Sequence, residues 1–194
     1  MYYKGLSVKF QNGKNNVVEI FEPIAFKIRR LKNLSKITIN GNNNNILFDT
    51  TKHKLLKIKI LNIGSGNRIE IGKNWYPSGE VTVDFCCQNN KIFKIGENCM
   101  FGQNISFMMG DWHTIFDKNT KECINATSQG IIIGNHVWLA RHVNILKDVQ
   151  ISDNSIVGLG SIVTKKFTEE NCIIAGTPAK IVKKNINWHW KNIT

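Results

Sequence analysis

Between Ile133 and Thr164 an apolar residue returns at every sixth place: Ile133, Leu139, Ile145, Ile151, Val157 and Val163. The fifth place of each block holds Val137, Val143, Val149, Ser155 and Ser161. The second is mostly small, with Gly134, Ala140, Ser152 and Gly158, and Leu146 as the exception. This spacing matches neither the 3.6 residues of a helical turn nor the alternation of a lone strand. It fits a parallel β-helix, in which each hexapeptide supplies one short strand and one corner. The first place is expected to point inward. The small second place, with the short fifth, is expected to let the chain turn tightly.

The same phase is heard upstream in Ile95, Phe101 and Phe107, and more loosely from Ile37, where apolar pairs alternate with Gly and Asn. Asn42 to Asn45 read as corners, since Asn and Gly tolerate the left-handed backbone region. The solenoid is therefore expected over residues 37–184. Residues 1–36 read as an N-terminal cap, with VKFQNGKNNVVEI forming a hairpin about Asn12 and Gly13. Residues 112–130 are polar, break the period and predict an excursion loop. AGTPAKIVKK closes the last coil, and residues 185–194 form a polar, aromatic tail, possible as a short helix.

Composition adds limits rather than direction. A net charge of +12 invites nucleic acid or another anionic partner, but the charges are spread and no nucleic-acid motif is present. No run is apolar enough for a membrane span, so no stable membrane insertion is expected. The start MYYKGLSVKF lacks a signal core, which predicts a cytoplasmic protein. The five cysteines are odd in number, show no CxxC and read as reduced thiols. Cys86 and Cys87, as neighbours on a strand, are expected to face opposite sides. His136 and His142 share one phase on different faces and cannot converge, while His53 and His189 lie far off, so no metal is expected.

Four stretches together, GDWHTIFD with its following loop, IGNHVWLARHV, ISDNSIVGLGSIVTKK and AGTPAKIVKK, resemble the hexapeptide-repeat acetyltransferases. Within them the likeness is to galactoside and maltose acetyltransferase-like O-acetyltransferases that modify capsule or lipopolysaccharide sugars. The resemblance implies an all-β, left-handed parallel β-helix, a homotrimer with active sites between neighbouring solenoids, acetyl-CoA as donor and a sugar or polysaccharide acceptor. It also implies direct attack of the acceptor hydroxyl, without an acetyl-enzyme. An N-acetyltransferase acting on an amino-sugar nucleotide and a non-enzymatic scaffold are the competing readings.

His113 stands where the period breaks, in the position of the family's catalytic histidine, and an imidazole suits removal of a hydroxyl proton. Asp111, two residues earlier, would share its face on an extended strand and orient the ring. Trp138 matches a tryptophan beside the donor, able to wall the acetyl pocket. The resemblance assigns the oxyanion contact to the Arg141 backbone N–H. Leu159 and Gly160 match positions along the pantetheine arm, Thr164 and Lys165 a Thr-Lys pair near it, and Lys180 and Lys183 basic positions that grip the phosphoadenosine.

Overall fold

The computed structural model describes residues 2–3, 6–10, 13–21, 35–49 and 58–191. Three sheets wind about one core. Sheet I holds, in stacking order, Tyr2–Tyr3, Leu6–Phe10, Ser35–Ile39, Ile58–Ile63, Val81–Asp84, Ile105–Met108, Asn144–Ile145 and Ile162–Val163, the first of these antiparallel to the second. Sheet II holds Val17–Phe21, Asn45–Asp49, Arg68–Ile71, Ile92–Ile95, Gly130–Ile133 and Gln150–Ile151. Sheet III holds Tyr76–Pro77, Met100–Phe101, Trp138–Leu139, Ile156–Val157 and Ile173–Gly176, and then Ala179–Lys183. From Ile58 to Val163 the chain visits I, II and III in turn, and each strand pairs in parallel with its equivalent one coil away; the last strand, Ala179–Lys183, instead pairs antiparallel with Ile173–Gly176. This is the parallel β-helix that the six-residue period predicts.

The hexads act in a slightly different way from the expected one. The first-place residues from Ile133 to Val163 are fully buried, and so are Val137, Val143 and Ser155 in the fifth place. Both places face inward. The turn itself falls at the fourth place, where His136, His142, Asp148 and Asn154 take φ of 52°, 59°, 59° and 57°, and Gly160 takes 69°. The second place is small for another reason. At Gly134, a Cβ would lie 2.3 Å from Asp153 Oδ1 and 2.9 Å from Asp153 N, so that corner favours glycine. Most of the other left-handed positions are Asn, the non-glycine residue that adopts this conformation with least strain.

The asparagine tract divides its work. Asn43 alone of Asn42 to Asn45 turns the chain. Asn44 is buried and belongs to a ladder on the edge between sheets I and II. Its backbone N–H and its amide donate to Asn16 Oδ1 at 3.0 and 2.9 Å. Asn44 Oδ1 accepts from Asn67 N–H at 2.8 Å, and Asn67 Oδ1 from Lys91 N–H at 2.9 Å. Buried amides are stable here because nearly every polar atom has a partner one coil away.

The solenoid begins earlier than residue 37. Leu6–Phe10 pairs in parallel with Ser35–Ile39, and Val17–Phe21 with Asn45–Asp49. The two N-terminal strands therefore lie in different sheets, and the hairpin expected about Asn12 and Gly13 is not formed by them. Asn12 itself lies outside the described residues, as does most of the segment between the first coils. Cys86 and Cys87 occupy a corner, with φ of 48° and 56°, rather than a strand. Burial pushes the Cys86 thiol up to about 12, and it donates to Gly110 O at 3.2 Å. The tail through Lys191 contains no helix among its described residues.

Phenylalanines fill the middle coils. Phe93 and Phe107 meet edge to face at 5.1 Å, Phe101 lies 5.9 Å from Phe107, and Trp75 lies 5.7 Å from Phe101. Phe85 extends the row, 6.3 Å from Phe93. This packing stands directly inside the point where the excursion leaves the solenoid.

Candidate active site

The excursion departs after Ile105–Met108 of sheet I and returns at Gly130–Ile133 of sheet II. It folds on itself. Phe116 and Cys123 form an antiparallel bridge, and Asp117 Oδ1 accepts the Asn119 and Thr120 N–H groups, both at 2.8 Å, to make the tip. At the base, Asn125 ties the two legs together. Its amide donates to the His113 carbonyl and to Asp111 Oδ2, each at 2.8 Å, and its Oδ1 accepts from Ile115 N–H at 2.8 Å. Lys147, one coil on, pairs with Asp111 and donates to Asn125 O at 2.6 Å. Asp148 receives the N–H groups of Ser128, Gln129 and Gly130 at 2.8, 2.7 and 3.0 Å.

These contacts set the local electrostatics. Hydrogen bonds from Lys147 and then Asn125 hold the Asp111 carboxyl below the usual carboxylate range. Burial works to raise Asp148, but the bonds from Ser128, Gly130 and Gln129 prevail and lower it. Asp111 thus spends its charge on Lys147 and Asn125, and no hydrogen bond joins it to the His113 ring among the described residues. His113 is exposed, and its backbone carbonyl is held by the Asn125 amide.

The residues expected near the donor gather elsewhere. Trp138, Arg141 and Leu159 line one cavity of about 420 Å³ with Ser78, Met100, Gly102 and Ala140. Leu159 is 71% exposed, a large apolar surface facing this space. The carbonyl of Arg141 accepts from Gly160 N–H at 2.9 Å, whereas its own N–H has no acceptor among the described residues. Lys165 and Lys180 line a second cavity of about 400 Å³ with Lys166, Phe167, Thr168, Glu169 and Ile181. Lys165 also lies over the Phe167 ring at 5.6 Å. Gly160, Thr164 and Lys183 line neither cavity; Thr164 and Lys183 are exposed nearby.

His113 stands on the edge between sheets I and II. Trp138 lies on sheet III, the face opposite that edge, and Arg141 on the corner beyond it. His113 does not line the cavity of Trp138 and Arg141. His136 and His142 sit on successive corners, as their phase requires, and the His136 ring is engaged by Asn154 Oδ1 at 3.0 Å.

Asn125 and Lys147 were not legible as site residues, because neither interrupts a pattern: one lies within a polar loop and the other at an outward hexad place. Ser78 and Met100 come from coils whose outward residues carry no motif. The tail tryptophans were visible, but their destination was not.

No protein-family model matches the chain. It is 34% identical over 209 residues to a polysialic acid O-acetyltransferase of Neisseria meningitidis, covering 95% of this chain and 90% of that protein. It is 36% identical over 143 residues to a polysialic acid O-acetyltransferase of Escherichia coli O1:K1 / APEC, a match spanning 70% of this chain but 43% of that protein. The crystal structure of the polySia specific acetyltransferase NeuO is similar with a TM-score of 0.74 at 29% identity, over 99% of this chain and 92% of that one. The chain belongs to the hexapeptide-repeat acetyltransferases, in the company of these sugar O-acetyltransferases. The likeness first read in the C-terminal half extends over nearly the whole chain.

Proposed function

We propose that the chain is an acetyl-CoA-dependent O-acetyltransferase acting on a hydroxyl of a bacterial surface-polysaccharide sugar. The observation that carries the reading is the shared cavity of Trp138, Arg141 and Leu159, residues picked out separately along the chain. The relatives add an acceptor class to try first, since two of them are named for polysialic acid and for O-acetylation.

Acetyl-CoA supplies an activated acetyl group. The cavity suits its thioester end: an indole and a leucine give apolar walls, and the unbonded Arg141 N–H is a donor for developing oxyanion charge. Lys165 and Lys180 suit its phosphates as point charges. His113 takes the proton from the acceptor hydroxyl as it attacks, and returns it to the departing thiolate. Asn125, Lys147 and Asp111 act on His113 only through the loop backbone. Incubating the protein with acetyl-CoA and polysialic acid, and following free thiol and the mass of the polymer, tests the reading; no thiol release with any hydroxylated saccharide would reject it.

Asn125→Ala is expected to lower kcat by about 10- to 100-fold, because the loop base loses the side-chain bonds to Asp111, His113, Ile115 and Cys123 and misplacement is costly. The KM for acetyl-CoA is expected to stay near wild type, since Asn125 is remote from sheet III. A kcat within twofold of wild type would show that the clamp does not position the histidine.

The opposed placement of His113 and Trp138 supports sites shared between chains, in a homotrimer. Subunits carrying His113→Ala and subunits carrying Trp138→Ala, each nearly inactive alone, are expected to complement when mixed. Random assembly leaves both residues intact at about one site in four, so about a quarter of wild-type activity should return. A mixture no more active than its parents would place the whole site in one chain.

A further inference from the structure

The chain does not leave the molecule after its last strand. It turns back along the edge between sheets II and III, against the direction in which the coils were laid down. Ile186 N–H donates to Asn171 O at 2.9 Å, and the Asn171 amide donates to Ile186 O at 3.2 Å. Two residues on, Trp188 is 8% exposed. Its indole N–H donates to His136 O at 2.8 Å, and its ring lies flat on the His136 imidazole, 4.1 Å away with 12° between planes. Trp190 follows, 5.5 Å from Trp188, and meets Tyr76 edge to face at 6.1 Å. The tail thus crosses from the coil of Asn171 to that of Tyr76.

The same stretch of sheet III carries the cavity. The Tyr76 coil supplies Ser78, and the next two supply Met100 and Trp138. Trp188 lies 6.0 Å from Trp138 with the rings tilted by 48°. Trp138 is the sixth-place residue of its hexad, so its indole points out of the solenoid and is not fixed by the core. Among the described aromatic contacts, the Trp188 ring is the one packed on it. The His136 platform is itself fixed by Asn154, so the stack is anchored on both sides.

We propose that Trp188 is a positioning residue: the docked C-terminal tail sets the Trp138 indole, and the acetyl-donor cavity is complete only when the tail is in place. This rests on the reading of the cavity as the acetyl-CoA site. Trp188 touches no reacting group; it acts through Trp138.

The test is a double-mutant cycle on the full chain, read by titration calorimetry with acetyl-CoA and by steady-state kinetics. Trp188→Ala and Trp188→Leu are both made, the second keeping apolar bulk on the solenoid. Each is expected to weaken acetyl-CoA binding and to lower kcat/KM for acetyl-CoA by about tenfold, the scale of one lost ring contact. KM for the saccharide is expected to stay within about twofold. In a Trp138→Ala background the same changes are expected to add nothing, because the two effects are one. Unchanged binding in either folded Trp188 variant, or an equal further loss in the Trp138→Ala background, overturns the proposal while leaving the donor site standing. A wild-type chain that does not bind acetyl-CoA overturns both.

Discussion

Alanine at position 113 should reduce acetyl transfer by about 10²- to 10⁴-fold, the contribution expected of a general base, and leave acetyl-CoA binding close to wild type. The two halves of this result have separate causes. His113 is exposed on the edge between sheets I and II, whereas the cavity of Trp138, Arg141 and Leu159, proposed for the donor, is lined by none of its atoms, so the substitution removes no contact to these residues. The loop also keeps its shape, because Asn125 grips the backbone carbonyl of residue 113 rather than the ring. The expected pattern is therefore a fall in kcat at constant melting temperature and constant acetyl-CoA affinity. Steady-state kinetics beside calorimetric titration measure it. Turnover within a few-fold of wild type would remove His113 from the chemistry.

Phe107→Ala is expected to act through the scaffold instead, destabilising it by about 3–5 kcal/mol. Phe107 is fully buried and touches Phe93 and Phe101, and through them Phe85 and Trp75. The cavity left behind cannot collapse easily. Strands above and below hold its own strand in register, at Val83 on one side and Ile145 on the other. The excursion leaves only a few residues later, so activity should fail at temperatures where the rest of the solenoid survives. Urea melts at fixed protein concentration, with Val182→Ala as the exposed control, measure the effect. A midpoint equal to that of the control would mean that the aromatic row is not the stabilising centre of the middle coils.

The fold was readable where one residue type repeats at a short, constant interval, because burial in a narrow core imposes the same demand six residues apart. It was unreadable in the first coils for the opposite reason. There the strands are five residues long and equivalent positions lie far apart, as Leu6 and Ser35 do. A pair of alternating runs about Asn12 and Gly13 looks the same whether the chain reverses or merely rounds a corner. Only the distant partner decides. The site shows a parallel division. His113 drew attention because it stands at a break in the pattern, and Trp138 and Arg141 because a motif surrounds them; the structure puts Trp138 and Arg141 on one cavity and leaves His113 exposed on the loop. Asn125 is bound to backbone groups 10 and 12 residues away, and Trp188 to a carbonyl 52 residues away, and neither leaves a local trace.

The last strand has a consequence for how long such a molecule can grow. A β-helix lengthens by accepting another parallel coil, and nothing in its interior fixes when this stops. Here Ala179–Lys183 folds back antiparallel on Ile173–Gly176. Any incoming strand on sheet III meets a neighbour running the wrong way, with the exposed Lys180 and Lys183 on it. The parallel ladder of sheet III therefore does not continue past Ala179–Lys183. The hairpin is a terminator: it ends an otherwise indefinitely extendable architecture.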